Sequence, residues 1–160
     1  MGRRLASRME RQFVDTDDLI ESEEGQISDM VKSHSWDYFR ALEKRMIEKV
    51  SKEDNLVIAL GGGAVLDPVN IVNLERNGFI IWLKADREAI QKRMEQDPRT
   101  IASRPTLTGK GTVEELEEMM AYRNSFYDRA AKIKLDTSAP DVETVVENIL
   151  AVLKEEMGRI

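Results

Sequence analysis

The chain has no cysteine and a single histidine, His34. The first absence excludes disulfides and thiolate metal centres. The second argues against a histidine-ligated zinc and against a Ser-His-Asp triad, which both depend on imidazole. Basic residues are in the minority: 24 Lys and Arg stand against 30 Asp and Glu, a net charge of −6. A nucleic-acid surface needs a basic surplus, so no nucleic-acid partner is expected. Long apolar runs are also missing. The longest, residues 56–66, is too short for a bilayer and is broken by glycine, so no membrane partner is expected. Residues 1–5 lead into charge rather than into the apolar stretch of a signal peptide. A cytoplasmic location is the expectation that fits these absences.

What is present is a globular composition. At 160 residues with 41% apolar side chains, the chain is expected to form one domain with a real core, spanning 1–160. Residues 3–11 read as helix and 12–15 as a short strand. Residues 26–52 carry helical spacing through Ile27, Met30, Val31, Tyr38, Phe39, Leu42, Met46, Ile47 and Val50. Residues 56–60 (LVIAL) and 79–83 (FIIWL) read as strands buried on both faces. Asp67 and Pro68 open a helix that Gly78 closes, and Asp86 caps another that runs to about residue 95. Residues 97–111 are polar and long for a connection, which marks an expected lid. Thr112 and Glu115 form a capping box for a helix to about residue 131. A strand over 132–136 and a final helix capped by Asp141 complete the pattern. Strands alternating with helices imply an α/β fold with a parallel sheet, whose ligands bind beyond the carboxyl ends of the strands.

The special residues cluster at those ends. In FVDTDD, Asp15 and Asp17 lie two apart, so both can enter one cleft. Carboxylates there can hold Mg²⁺, directly or through water, or accept a hydroxyl proton; they can also simply cap a helix. In YFRALE, Arg40 and Glu43 are placed to pair on a helix, either as a surface bridge or as a fixed guanidinium for a carboxylate. Gly61, Gly62 and Gly63 exceed what a turn needs, which points to close backbone approach to a ligand. In SRPTLTGKG the lid carries Arg104, and in YRNSFY a helix carries Arg123, with Tyr127 one turn on as a core aromatic.

Taken in order, the acid pair, F-R-x-x-E, G-G-G, R-P-x-L and R-x-x-x-Y resemble the shikimate kinase family over essentially the whole chain. The resemblance implies a P-loop kinase-like three-layer α/β fold with sheet order 2-3-1-4-5 and a lid. It implies transfer of the γ-phosphoryl of ATP to the 3-hydroxyl of shikimate, on the way to chorismate and the aromatic amino acids. In that reading Asp17 binds the hydroxyl and acts as base, and Asp15 sits near Mg²⁺. Arg40 and Arg123 hold the shikimate carboxylate, Glu43 matches the acid that follows the first of them and lines the substrate site, and Gly61, Gly62 and Gly63 press backbone against the ring. Arg104 stabilises charge on the transferring phosphoryl. Arg93, with Asp136 and Pro140 around the loop after the last strand, serves the adenine. ATP and Mg²⁺ are the implied cofactors, shikimate the implied small-molecule partner, and a monomer the implied state.

The chain departs from the family pattern in places. Ser35-Trp36 stands where Gly-Glu is frequent, Thr106 where the lid often has Leu, and Ser125 where Pro is usual. The family also opens with a strand and a G-x-x-G-x-G-K-S/T loop, whereas MGRRLASRME matches the helix that follows that loop. Gly109-Lys110-Gly111 is no substitute, because no hydroxyl follows the lysine. The first strand and phosphate loop are therefore expected upstream of this reading, and the 160 residues alone are expected to turn over poorly. Two alternatives remain: a non-catalytic kinase-like module that binds shikimate or a partner, and another small-molecule kinase such as a gluconate kinase.

Overall fold

Val57 and Ile58 are neighbours in sequence, yet they pack into different cores. That follows from strand geometry, in which successive side chains leave opposite faces. The structure is a computed structural model and describes residues 1–96, 112–139 and 141–158. In it β1 (Gln12–Asp15) and β2 (Leu56–Ala59) pair in parallel, Gln12 opposite Leu56 and Asp15 opposite Ala59. β3 (Ile81–Lys84) and β4 (Ile133–Asp136) form a second parallel pair.

Helices cover both faces. α1 (Gly2–Arg8) and α8 (Val142–Met157) bury Leu5, Val145, Val146, Ile149 and Leu153 with Ile133, and Val57 packs against them. On the other face α2 (Thr16–Glu24), α3 (Ile27–Ser33) and α4 (Trp36–Val50) bury Ile20, Met30, Phe39, Leu42, Met46 and Val50 against Val14, Leu56 and Ile58. α5 (Pro68–Glu75), α6 (Arg87–Gln96) and α7 (Thr112–Ala130) complete the described helices. None is long and apolar enough to cross a membrane. The expected lid over 97–111, with Arg104, and Pro140 lie outside the described residues, as do the side chains of Thr112 and Glu115.

Three expectations need correction. The periodic stretch 26–52 is two helices, because Ser35 breaks it and accepts a hydrogen bond from the Tyr38 N–H as the cap of α4. α5 ends at Arg76 in ordinary helical backbone, so Gly78 is not its left-handed cap. The strands at 56–60 and 79–83 are not buried on both faces. β2 is half-buried throughout, and β3 begins at Ile81 with Leu83 40% exposed.

The reason for that exposure is topological. No described strand lies between β2 and β3, and a cavity of about 930 Å³ opens there. Leu5, Val57, Ile58, Phe79, Ile81 and Leu153 line it. Asn77 Nδ2 donates to the Ser51 carbonyl at 3.3 Å, tying together the approaches to the two strands. At the other end Tyr127 reaches both the turn after β2 and Trp82 of β3. The strands therefore run in the same direction on either side of the cavity.

Ile47 is completely buried and joins α4 to Ala64 and Leu74 below the glycine turn. Ile47→Ala is expected to destabilise the fold by about 2–4 kcal/mol through lost burial and a residual cavity. A urea-unfolding midpoint measured beside the wild type checks this.

Candidate active site

After β2 the chain enters Gly61, Gly62 and Gly63 and then a short 3₁₀ turn (Ala64–Leu66). The Ala64 N–H donates to the Gly61 carbonyl, and the buried Asn70 side chain donates to the Ala64 carbonyl at 2.9 Å. None of the three glycines has positive φ, so the backbone itself does not require glycine here. Space does. A Cβ on Gly61 would lie 2.8 Å from Asp17 Oδ1 and 3.0 Å from Glu43 Oε1. One on Gly62 would meet Tyr127 Oη at 3.1 Å and Arg123 Nη1 at 3.2 Å. One on Gly63 would fall inside the Arg40 guanidinium, 2.1 Å from Nη2. The turn is thus the point where functional heads from α2, α4 and α7 meet.

Asp15 and Asp17 separate in role. Asp15 caps α2: its Oδ1 accepts from the Asp17 N–H at 3.0 Å and from the Asp18 N–H at 3.5 Å. That is the ordinary capping role, and it leaves Oδ2 for other work. Asp17, one turn-start later, is the acid that faces Gly61. Thr16 between them is fully buried and donates to the Ala59 carbonyl, which ties the end of β1 to the end of β2.

Arg40 and Glu43 form the ion pair read from the sequence, at 2.6 Å between Nη1 and Oε2. Its character was not legible there. The Glu43 side chain is 1% exposed, so this is a buried anchor rather than a surface bridge. The Arg40 guanidinium also lies over the Trp36 and Phe39 rings, 5.5 and 5.1 Å from their centroids. Three contacts hold one cation in place, as bidentate capture of an anion requires. Burial pushes the Glu43 carboxyl above its ordinary range, against the lowering pull of Arg40, and Asp17 adds to the rise. Glu43 Oε1 has no hydrogen-bond donor in the structure.

The residues assigned to adenine lie elsewhere. Arg93 of α6 donates to Thr137 Oγ1 at 3.1 Å and also to the Thr137 carbonyl. Asp136 accepts from the Ser138 N–H at 2.8 Å, and the Ser138 hydroxyl together with this N–H holds its carboxyl below the usual range. Both therefore shape the turn after β4, apart from the glycine turn. Among the described residues no cluster of three Asp, Glu or His side chains could enclose a metal ion. Sequence reasoning missed Tyr127 and Trp36 as members of the site. Tyr127 stood in the R-x-x-x-Y spacing, one helical turn after Arg123, and that was the available signal.

Fold and site together define a three-layer parallel α/β protein with a cleft at the carboxyl ends of its strands, where two guanidiniums and two carboxylates meet a glycine turn. The family model for shikimate kinase matches residues 1–154. The chain is 36% identical to the shikimate kinase of Symbiobacterium thermophilum over 160 residues, covering 99% of this chain and 91% of that protein. It is 38% identical to shikimate kinase 2 of Yersinia pseudotuberculosis over 159 residues, with 98% and 89% covered. The structure superposes on the shikimate kinase from Acinetobacter baumannii solved in complex with shikimate. There the TM-score is 0.88 at 25% identity, over 97% of this chain and 85% of that one. The chain belongs to the shikimate kinase family, and its two parallel strand pairs covered by helices agree with the expected P-loop kinase-like α/β fold.

Two outcomes are expected from this geometry. Gly63→Ala displaces the Arg40 guanidinium and breaks its pair with Glu43, while costing the fold only about 1–3 kcal/mol; a crystal structure and a thermal melt of the variant check both parts. The second concerns pH. Because the folded state raises the Glu43 pKa, it binds this proton more readily than the unfolded chain does. The stability Glu43 contributes therefore falls as pH rises from about 4.5 through the raised value. Glu43→Gln removes that slope, and urea midpoints of both proteins across pH 4.5 to about 8 measure it.

Proposed function

We propose that this chain binds shikimate in the cleft around residues 61–63 and presents its 3-hydroxyl for phosphorylation. The family is that of ATP:shikimate 3-phosphotransferases. The observation that carries the site assignment is the convergence of Asp17, Arg40, Glu43 and Arg123 on three side-chain-free positions. Two guanidiniums suit a carboxylate at one end of a small ring. An acid suits the hydroxyl at the other. Asp17 accepts the hydroxyl proton, Arg40 and Arg123 orient the carboxylate, and Glu43 holds Arg40. Bringing the hydroxyl into one fixed direction is most of the work in phosphoryl transfer.

The donor side is assigned more sparsely. ATP supplies the γ-phosphoryl, with Mg²⁺ neutralising its charge. Oδ2 of Asp15 is the oxygen free to approach such an ion, and one carboxylate with waters and phosphate oxygens is an ordinary Mg²⁺ environment. Arg104 delivers a cation to the transferring group, and Arg93 with Asp136 and Pro140 borders the base. We assign the protein to the cytoplasm as a monomer.

The 160 residues carry no G-x-x-G-x-G-K-S/T run, so no phosphate cradle is assigned within them. The 160 residues are proposed to bind shikimate, and turnover is proposed to need an extended protein that carries a phosphate loop of that kind.

Calorimetric titration with shikimate and with gluconate tests this reading. Saturable binding of shikimate is expected, with at least about a ten-fold loss in Arg40→Ala and Arg123→Ala. In the extended protein, Asp17→Asn is expected to lower kcat by at least about 100-fold with little change in KM. Binding of gluconate in preference to shikimate, or full turnover by the 160 residues alone, would overturn it.

A further inference from the structure

The two arginines are not held alike. Arg40 has Glu43, Trp36 and Phe39 around its guanidinium. Among the described residues Arg123 has no close ion pair like that of Arg40; the Glu43 carboxylate acts on it from farther off, and its Nη1 is packed beside Gly62. A distant counter-charge leaves its position to be fixed by packing as well. Four residues on, and so on the same face of α7, Tyr127 donates to the Gly62 carbonyl at 2.6 Å. The same hydroxyl and Arg123 Nη1 flank the single point where a Gly62 Cβ would be. The ring of Tyr127 lies 5.4 Å from that of Trp82, tilted by 31°.

We infer that Tyr127 is a positioning residue for anion recognition: by gripping the Gly62 carbonyl it fixes α7 against the glycine turn and sets where the Arg123 guanidinium stands. This rests on the reading of Arg123 as a carboxylate ligand. The hydroxyl bonds a main-chain oxygen, so its anchor does not depend on another side chain's rotamer. Trp82 backs the ring, so the hydroxyl does not have to fix the ring's direction by itself. α7 is thereby located at two points, on the turn after β2 and on β3. Without the hydroxyl the ring stays packed, but the register between Arg123 and the turn loosens by the length of one hydrogen bond.

Tyr127→Phe isolates this, since the ring and its packing survive. The whole 160-residue chain is titrated with shikimate and with shikimate methyl ester, which lacks the negative charge. The variant is expected to bind the acid about three- to ten-fold more weakly and the ester as the wild type does, within a thermal midpoint shifted by only a few degrees. The Nε–Hε resonance of Arg123, assigned with Arg123→Lys, is expected to be dispersed in the wild type and to move to the solvent-exposed position in the variant. An equal loss for acid and ester, no loss for either, or an unmoved Arg123 resonance would overturn the inference. Should the wild type bind neither compound, the shikimate reading falls, and the Arg123 resonance alone then decides whether Tyr127 positions it.

Discussion

Everything in the cleft depends on three Cβ atoms that are not there. At Gly63 the backbone torsions are φ −92° and ψ −9°, which any residue adopts readily. Glycine is required because the volume of a side chain is already taken by the Arg40 guanidinium. A Cβ at Gly61 would press on two carboxylates, and one at Gly62 would sit tightly against a phenol and a guanidinium. A run of glycine after a buried strand is easily read as a phosphate cradle. Here the room it makes is used by the protein's own charged heads, drawn from three helices that are far apart in sequence.

Such a convergence has an electrostatic cost that the local arrangement offsets. Glu43 is buried beside Asp17, and its ionised form is opposed by desolvation. Arg40 stands 2.6 Å away, itself 30% exposed and stacked over two rings. A buried pair of this kind is weak evidence of stability, because replacing both members by apolar groups is often no worse. Its value lies in direction. A guanidinium fixed by a carboxylate behind it and by ring faces beside it has fewer orientations to lose when an anion arrives. Among the described residues Glu43 Oε1 also has no hydrogen-bond donor, a cost that the pair carries in addition.

Much of this was legible in the sequence, and the limits are physical. The pairing of Arg40 with Glu43 follows from helical spacing, but the burial of Glu43 does not, since it depends on what α4 packs against. Asp15 and Asp17 looked equivalent two residues apart. The start of α2 separated them, by turning Asp15 into a cap and directing Asp17 towards Gly61. Tyr127 escaped because an aromatic one turn from a polar residue is also what a core helix face looks like. The half-burial of β2 and β3 could not be read from LVIAL or FIIWL at all. Those strands have the composition of a fully covered sheet, and only the absence of a described neighbour on one edge leaves them exposed. Arg104 and Pro140 lie outside the described residues.

The divided sheet gives the contacts that bridge it a particular weight. No strand ladder joins β2 to β3, so the two halves keep their relation through other groups. Near the strand entrances there is one amide, from Asn77 to Ser51. Along one face Arg8 of α1 pairs with Glu143 and Glu147 of α8 at 2.8 and 2.5 Å, where exposure keeps each pair weak. At the exits stands Tyr127, between Gly62 and Trp82. The cleft spans this division, because Asp17, Arg40 and the glycine turn belong to the β1–β2 half while Arg123 arrives on the helix leading into β4. The relative placement of Arg40 and Arg123 is therefore only as defined as the contacts across the gap.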